Sequence, residues 1–255
     1  MRALPDAFRP YAWAPSTDEL ARRVGLDPSE IVRFDGNTRA WPHSSARPGT
    51  IAAALADVNA YAHGGHSALV AAVAGYAGVE PENLVLGAGA DDLILLCART
   101  FAGPGDRVGI ADEPTYPLYQ ISAGLAGAEV ADESPAVTFC CRPNNPTGAL
   151  GNLPGARPLV VDEAYFEYAG ETAAPMIEDG VVVLRTFSKA FGLAGARVGY
   201  ALASRETAAE LNRRQAPLPV STLSAALALA ALVDPPDVTE EIEERERLAS
   251  GLRAL

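Results

Sequence analysis

Lysine is almost absent from this chain: 19 of its 20 basic residues are arginine, and Lys189 is the single lysine. Cysteine is scarce as well, occurring as Cys97, Cys140 and Cys141. An odd number of cysteines, two of them adjacent in an apolar run, is neither a disulfide framework nor CxxC metal spacing. That pattern predicts a reducing, cytoplasmic compartment. Positive charge is never clustered beyond two residues and the formal net charge is −12, so the basic patch that a nucleic-acid partner needs is missing. No run approaches the roughly 20 apolar residues of a bilayer span. The longest candidate, 218–233, is interrupted by Pro219, Ser221, Thr222 and Ser224 and reads as a buried helix of a non-membrane protein. The first ten residues hold two Arg, one Asp and two Pro without a continuous apolar core, so no signal peptide is expected. Histidine is limited to His43, His63 and His66, none beside a Cys or a paired carboxylate at ligand spacing, and no metal site is predicted. A G-x-S-x-G elbow is also missing, which removes the usual hydrolase reading.

What remains is ample core material: 255 residues, 49% apolar and 20% charged, enough for one large α/β domain or two small ones. Residues 1–35 read as an N-terminal arm, with Ser16-Thr17-Asp18-Glu19 at capping-box spacing starting a helix to about Val24 and Gly25 ending it. Residues 36–49 have loop chemistry, and helical periodicity returns at 50–58 and 67–77. Short apolar runs then read as buried strands at 84–86, 108–111, 136–141, 159–161, 181–186 and 198–202, with helical stretches at 91–101 and 116–126 between them. Strands alternating with helices predict a mostly parallel sheet sandwiched by helices, as in an α/β protein. Ligands of such sheets collect beyond the carboxyl ends of the strands. Four polar clusters fall there: Gly87-Ala88-Gly89-Ala90-Asp91-Asp92, Pro143-Asn144-Asn145-Pro146, Asp162-Glu163-Ala164-Tyr165 and Ser188-Lys189. Residues 238–255 read as a charged amphipathic helix.

Lys189 stands out because the rest of the chain has no use for lysine. An amine that must lose its proton and attack a carbonyl cannot be replaced by guanidinium, which stays charged. Asp162, at a strand end, is either a turn cap or a carboxylate in a low-dielectric cleft that needs a cationic partner. Tyr165 is a second cleft candidate, or a core aromatic. Asn145 sits in a rigid Pro-flanked turn as a fixed amide donor. The glycine-rich turn before Ala90 and Asp91 offers unpaired backbone N–H groups to an anion. Thr186, Ser188 and Arg197 can complete a phosphate site. The Gly192, Gly195 and Gly199 spacing reads as tight turns rather than a dinucleotide fingerprint.

Five motifs in one order, Gly87–Asp92, Glu113-Pro114-Thr115-Tyr116, Pro143–Gly148, Val161–Tyr165 and Thr186–Arg197, resemble the fold-type I pyridoxal-phosphate enzymes. The nearest group is that of histidinol-phosphate and aromatic aminotransferases, and the resemblance runs from about Tyr11 to the end. It implies pyridoxal 5'-phosphate as cofactor, Lys189 as the Schiff-base lysine that also shuttles the substrate proton, and Asp162 as the partner of the pyridine nitrogen. It further implies Asn145 and Tyr165 at the ring's phenolic oxygen and Tyr116 stacked on the ring. The phosphate would take the amides of Ala90 and Asp91, the hydroxyls of Thr186 and Ser188, and Arg197. Tyr61 looks like the tyrosine lent to a neighbouring subunit's phosphate, which implies a homodimer acting on small amino and keto acids. Residues 36–237 correspond to the family's large domain. Residues 238–255 correspond to the start of a small domain that the resemblance leaves largely missing, together with the arginine that grips the substrate's carboxylate or, in some members, its phosphate. Helices usual before the Pro-Asn-Asn-Pro strand and between Gly148 and Leu159 are expected to be trimmed. The usual Asn-Glu-Asn-Pro loop reads Asn37-Thr38-Arg39-Ala40. Decarboxylation or elimination on the same machinery, and a non-catalytic cofactor-binding module, are the alternatives; Arg39 and Arg142 are the candidate replacements for the clamp.

Overall fold

A computed structural model describes residue 4 and residues 8–44, 46–62 and 64–253; His63 and the last two residues of the chain lie outside them. Seven strands form one sheet: β1 (Leu84–Gly87), β2 (Arg107–Ile110), β3 (Glu129–Val130), β4 (Val137–Cys141), β5 (Leu159–Asp162), β6 (Val181–Thr186) and β7 (Gly199–Leu202), in the spatial order β1-β7-β6-β5-β4-β2-β3. Pairings from β3 to β6 are parallel, whereas β7 runs antiparallel to both neighbours. Every residue of β1, β4, β5, β6 and β7 is buried, as expected of a sheet covered on both faces. The unexpected strand, β3, is two exposed residues long and carries no apolar run to announce it.

Helices α1 (Thr17–Val24), α2 (Pro48–Leu55) and α3 (Ser67–Ala77) precede the sheet; α4 (Ala90–Phe101) and α5 (Leu118–Ala126) follow β1 and β2. Helix α6 (Phe166–Ala169) is a single turn after β5, and α7 (Arg205–Arg214), α8 (Thr222–Ala231) and α9 (Thr239–Arg253) close the chain. The predicted start of α1 holds: the Ser16 side chain accepts from the Glu19 amide, and Gly25 ends the helix at φ +72°, in the left-handed region that favours glycine. Leu93, Ile94 and Leu96 of α4 pack with Tyr119 and Phe139 on one face of the sheet. Leu69 and Val73 of α3, Ala225 and Ala228 of α8, and Phe187 and Phe191 pack on the other. Residues 131–136 and 142–158 contain no helix, in agreement with the trimmed connections expected there. Helix α8 occupies the 218–233 run, and among the described residues no helix is long and apolar enough to cross a membrane.

The register sets the site. Gly87, Gly199 and Thr186 stand in one row across β1, β7 and β6, and Asp162 pairs with Leu184 of β6 and Cys141 of β4. The polar clusters therefore emerge along a single edge, as the alternation of strands and helices predicted.

Candidate active site

A cleft of about 260 Å³ opens at this edge. Ala90, Asp91, Tyr116, Asn145, Asp162, Tyr165, Thr186, Ser188, Lys189 and Arg197 all line it. Tyr61 does not; it is 83% exposed and lies against a separate hollow with Val58 and Leu218.

Asp162, at the end of β5, is 3% exposed. Its Oδ2 accepts from the Tyr119 hydroxyl at 2.7 Å and its Oδ1 from the Ala164 amide at 3.0 Å. Burial pushes its pKa up to about 6, against the opposing pull of those two bonds. A carboxylate so placed is short of a cation, and a protonated ring nitrogen supplies one. Tyr119 escaped the sequence reading because, three residues beyond Tyr116 on an apolar helix, it has the signature of a core aromatic.

Lys189 follows β6 and is half-buried, its Nζ donating to the Gly36 carbonyl at 3.0 Å and lying 5.5 Å from the Tyr165 ring centroid. Burial lowers its pKa, Asp91 and Asp162 raise it, and Arg197 lowers it again; the net direction is down, toward the neutral amine that attacks carbonyls. Burial likewise pushes the Tyr165 phenol up to about 12, so it is a hydrogen-bond donor at neutral pH; its hydroxyl oxygen meets Asn37 Nδ2 at 3.2 Å. Residues 35–38 thus form one wall of the cleft, and they include Asn37 and Thr38 of the altered loop that the resemblance singled out. In the Pro-Asn-Asn-Pro turn the two asparagines divide the work. Asn144 is buried, bonded to the Asp112 and Pro114 carbonyls, Thr147 and Thr115, and locks the turn, which leaves Asn145 to line the cleft.

The phosphate corner is built on close backbone approach. Helix α4 has no side-chain cap, so its first-turn N–H groups point into the cleft. At Gly89 (φ +89°) an added Cβ would come within 2.7 Å of Arg197 Nη2, and at Gly199 within 2.7 Å of the Gly89 carbonyl carbon. Gly199 is therefore required for strand β7 to reach the turn before α4. Arg197 Nη2 bonds Asp91 Oδ2 at 3.0 Å, Tyr116 donates to Asp91 Oδ1 at 3.0 Å, and Thr186 Oγ1 lies 2.9 Å from Ser188 Oγ. Hydroxyls, a guanidinium and a helix N-terminus at one end, an amine in the middle and a buried carboxylate beneath suit a phosphorylated aromatic aldehyde.

His43 and His66 bond backbone carbonyls of Asp234 and Val220, and among the described residues no group of side chains has the makings of a metal site. All three cysteines are free and buried. Arg39 is held by Glu241 and the Ala190 carbonyl, and Arg142 by Glu171 and the Gly151 carbonyl, and neither side chain lines the cleft.

The fold and the cleft define a pyridoxal-phosphate-dependent transferase. The model of the aminotransferase class I and II family matches residues 33–135 and 131–255, and the chain belongs to that family. The two matched stretches meet in the shortened loop between β3 and β4. The histidinol-phosphate aminotransferase of Nitratidesulfovibrio vulgaris is 32% identical, over 97% of this chain and 76% of that protein. Histidinol-phosphate aminotransferase 2 of Pseudomonas aeruginosa is 34% identical, over 88% of this chain and 70% of its own length. The crystal structure of histidinol-phosphate aminotransferase from Sinorhizobium meliloti in complex with pyridoxal-5'-phosphate superposes with a TM-score of 0.76 at 25% identity, over 94% of this chain and 73% of that one.

Proposed function

We propose that this aminotransferase takes histidinol phosphate, or an amine of similar size bearing one anionic group, as amino donor and a keto acid as acceptor. The single observation that carries the reading is the convergence of Lys189, Asp162 and the Arg197 corner in one cleft; the similarity to histidinol-phosphate aminotransferases supports the donor.

Pyridoxal phosphate supplies a carbonyl for the donor's nitrogen and a ring that accepts electrons from the bond broken at the donor's Cα. The chain's residues do the rest. The amides of Ala90 and Asp91, the Thr186 and Ser188 hydroxyls and Arg197 hold the phosphate. Asp162 keeps the ring nitrogen protonated, and Tyr119 holds Asp162 in place. Asn145 and Tyr165 bond the phenolic oxygen, and Tyr116 covers one face of the ring. Lys189 would hold the cofactor at its carbonyl carbon, and its Nζ, once free, would carry the proton from the donor's Cα to that carbon. Residues 36–237 are read as the cofactor-binding unit, 1–35 as an arm and 238–255 as the first helix of a second unit.

A homodimer with shared sites completes the proposal. Trp13, Phe34, Trp41 and Tyr61 are all at least 80% exposed, a surface that suits a second copy of the chain. A cytoplasmic setting fits three unpaired thiols. The test is a half-reaction: cofactor-loaded protein mixed with histidinol phosphate is expected to lose its aldehyde absorption and release the corresponding keto compound, with pyridoxamine phosphate recovered. With an amino acid in place of histidinol phosphate, release of carbon dioxide would transfer the chain to the decarboxylase reading.

A further inference from the structure

An ion pair that the proposed chemistry does not use lies buried behind the cleft. The Glu163 and Arg185 side chains are 1% and 3% exposed, and Arg185 Nε and Nη2 both meet Glu163 Oε2 at 3.0 Å. Each stands one residue from the cleft: Glu163 follows Asp162, and Arg185 precedes Thr186. Successive side chains of a strand point to opposite faces, so the pair sits on the face of the sheet turned away from Asp162 and Thr186.

The pair clamps residues 163–173, the segment that carries α6 and presents Tyr165 to the cleft. Glu163 Oε1 accepts from the Ala173 amide at 2.6 Å and Oε2 from the Thr172 hydroxyl at 2.8 Å, which closes the base of the segment. Arg185 Nη2 donates to Thr172 Oγ1 at 2.8 Å. The guanidinium carbon of Arg185 lies 3.6 Å from the centroid of the Phe166 ring, a cation–π stack on the residue next to Tyr165. The Glu163 amide donates to the Leu184 carbonyl at 2.8 Å, so backbone and side chain both anchor the segment to β6. Within it, the Ala164 amide bonds Asp162. Desolvation offsets much of the attraction in a buried pair, and what a fully hydrogen-bonded one contributes is a fixed geometry.

We propose that Arg185, paired with Glu163, is a positioning residue for the cofactor ring: it holds the 163–173 segment so that Tyr165 meets the phenolic oxygen. The inference rests on the role given to Tyr165 above and adds what keeps that side chain in place.

The test reads the absorption of the bound cofactor, not turnover. A hydrogen bond donated to the phenolic oxygen draws charge from the ring and makes the nitrogen through which Lys189 holds the cofactor less basic. Losing that bond is expected to raise the pH midpoint of the absorption change by about one pH unit. Tyr165→Phe is expected to show this shift, and Arg185→Met a shift of the same sign, with Arg185→Lys between it and wild type. Phe166→Leu removes the stack but leaves the ion pair, and is expected to shift the midpoint upward by less; it carries the test if Arg185→Met, with Glu163 left unpaired, does not fold. Combined with Tyr165→Phe, either substitution is expected to add nothing, because residues acting through one contact are not additive. Midpoints unmoved in every folded variant of Arg185 and Phe166, or shifts that add in the double variants, overturn the proposal. Should the protein take up no cofactor, or Tyr165→Phe leave the midpoint unmoved, the role of Tyr165 fails and the clamp is judged by hydrogen exchange in cofactor-free protein. Faster exchange in Phe166→Leu and Arg185→Lys confined to residues 163–173 supports the clamp. Unchanged exchange, or an equal rise in α4, contradicts it.

Discussion

The carboxyl edge of the sheet and the N-terminal segment before Ser67 follow opposite rules. At the edge, polar and charged groups are buried: Asp162, Glu163, Arg185, Thr186 and Ser188 are each under 9% exposed. Before Ser67, among the described residues, only Ala21 and Ala54 are buried, while Trp13, Phe34, Trp41 and Tyr61 face solvent. Burying a charge costs free energy unless a partner compensates it, and exposing an aromatic forfeits the stabilisation of its burial. Each region is thus unfavourable in isolation, and each names what it lacks. Glu163 and Arg185 compensate each other at 3.0 Å, so what the edge lacks is a cation for Asp162; the segment lacks an apolar surface.

The sharpest way to break this contrast is at Lys189. Lys189→Arg keeps a positive charge but removes the neutral amine, and amino transfer is expected to fall by at least about 10²–10⁴-fold, followed by keto-product formation. Activity within tenfold of wild type would remove Lys189 from the chemistry.

Asp162→Asn sharpens the electrostatic half. With a native pKa near 6 against an ordinary 3.8, the folded protein binds the extra proton between those values. The group's contribution to stability is therefore complete below the lower value and lost as pH rises through the upper one. In cofactor-free protein, Asp162→Asn is expected to abolish that loss, making the variant more stable than wild type by up to about 3 kcal/mol near pH 7, as measured by urea denaturation. The same substitution is expected to weaken cofactor binding. A stabilised variant with undiminished cofactor affinity would contradict the pairing of Asp162 with the ring nitrogen.

Tyr119→Phe removes one bond to Asp162 and nothing from the cleft surface. Its expected effect is smaller, a loss of about tenfold in cofactor affinity, with the stability decline at acidic pH shifted upward. Tyr61→Phe tests the exposed region: an 83% exposed tyrosine removed from an isolated chain changes nothing, whereas one reaching a second copy's phosphate costs about 2–10-fold in cofactor affinity, read by equilibrium titration. Sedimentation of the same variant reports whether the dimer persists.

The legible part of the molecule was the part with strong local signals. Continuous apolar runs marked six of the seven strands, and their carboxyl ends carried the cleft residues; Lys189 was conspicuous because no other lysine exists. What escaped was set by long-range packing. The antiparallel direction of β7 follows from the short return after Lys189, and β3 pairs through two exposed residues. Tyr119 belongs to the core by every local criterion until β5 brings Asp162 beside it. Gly36 and Asn37 read as loop, and only the fold lays that loop over Lys189 and Tyr165.

The most direct test uses the scarcity with which the sequence is marked. Borohydride reduction of the pyridoxal-phosphate-loaded protein can fix the cofactor only to a primary amine, and the side chains offer one, Lys189. Peptide mass mapping is expected to find the reduced adduct on Lys189. A folded protein that yields no adduct there, or carries it only on the terminal amine, would contradict the assignment of this cleft.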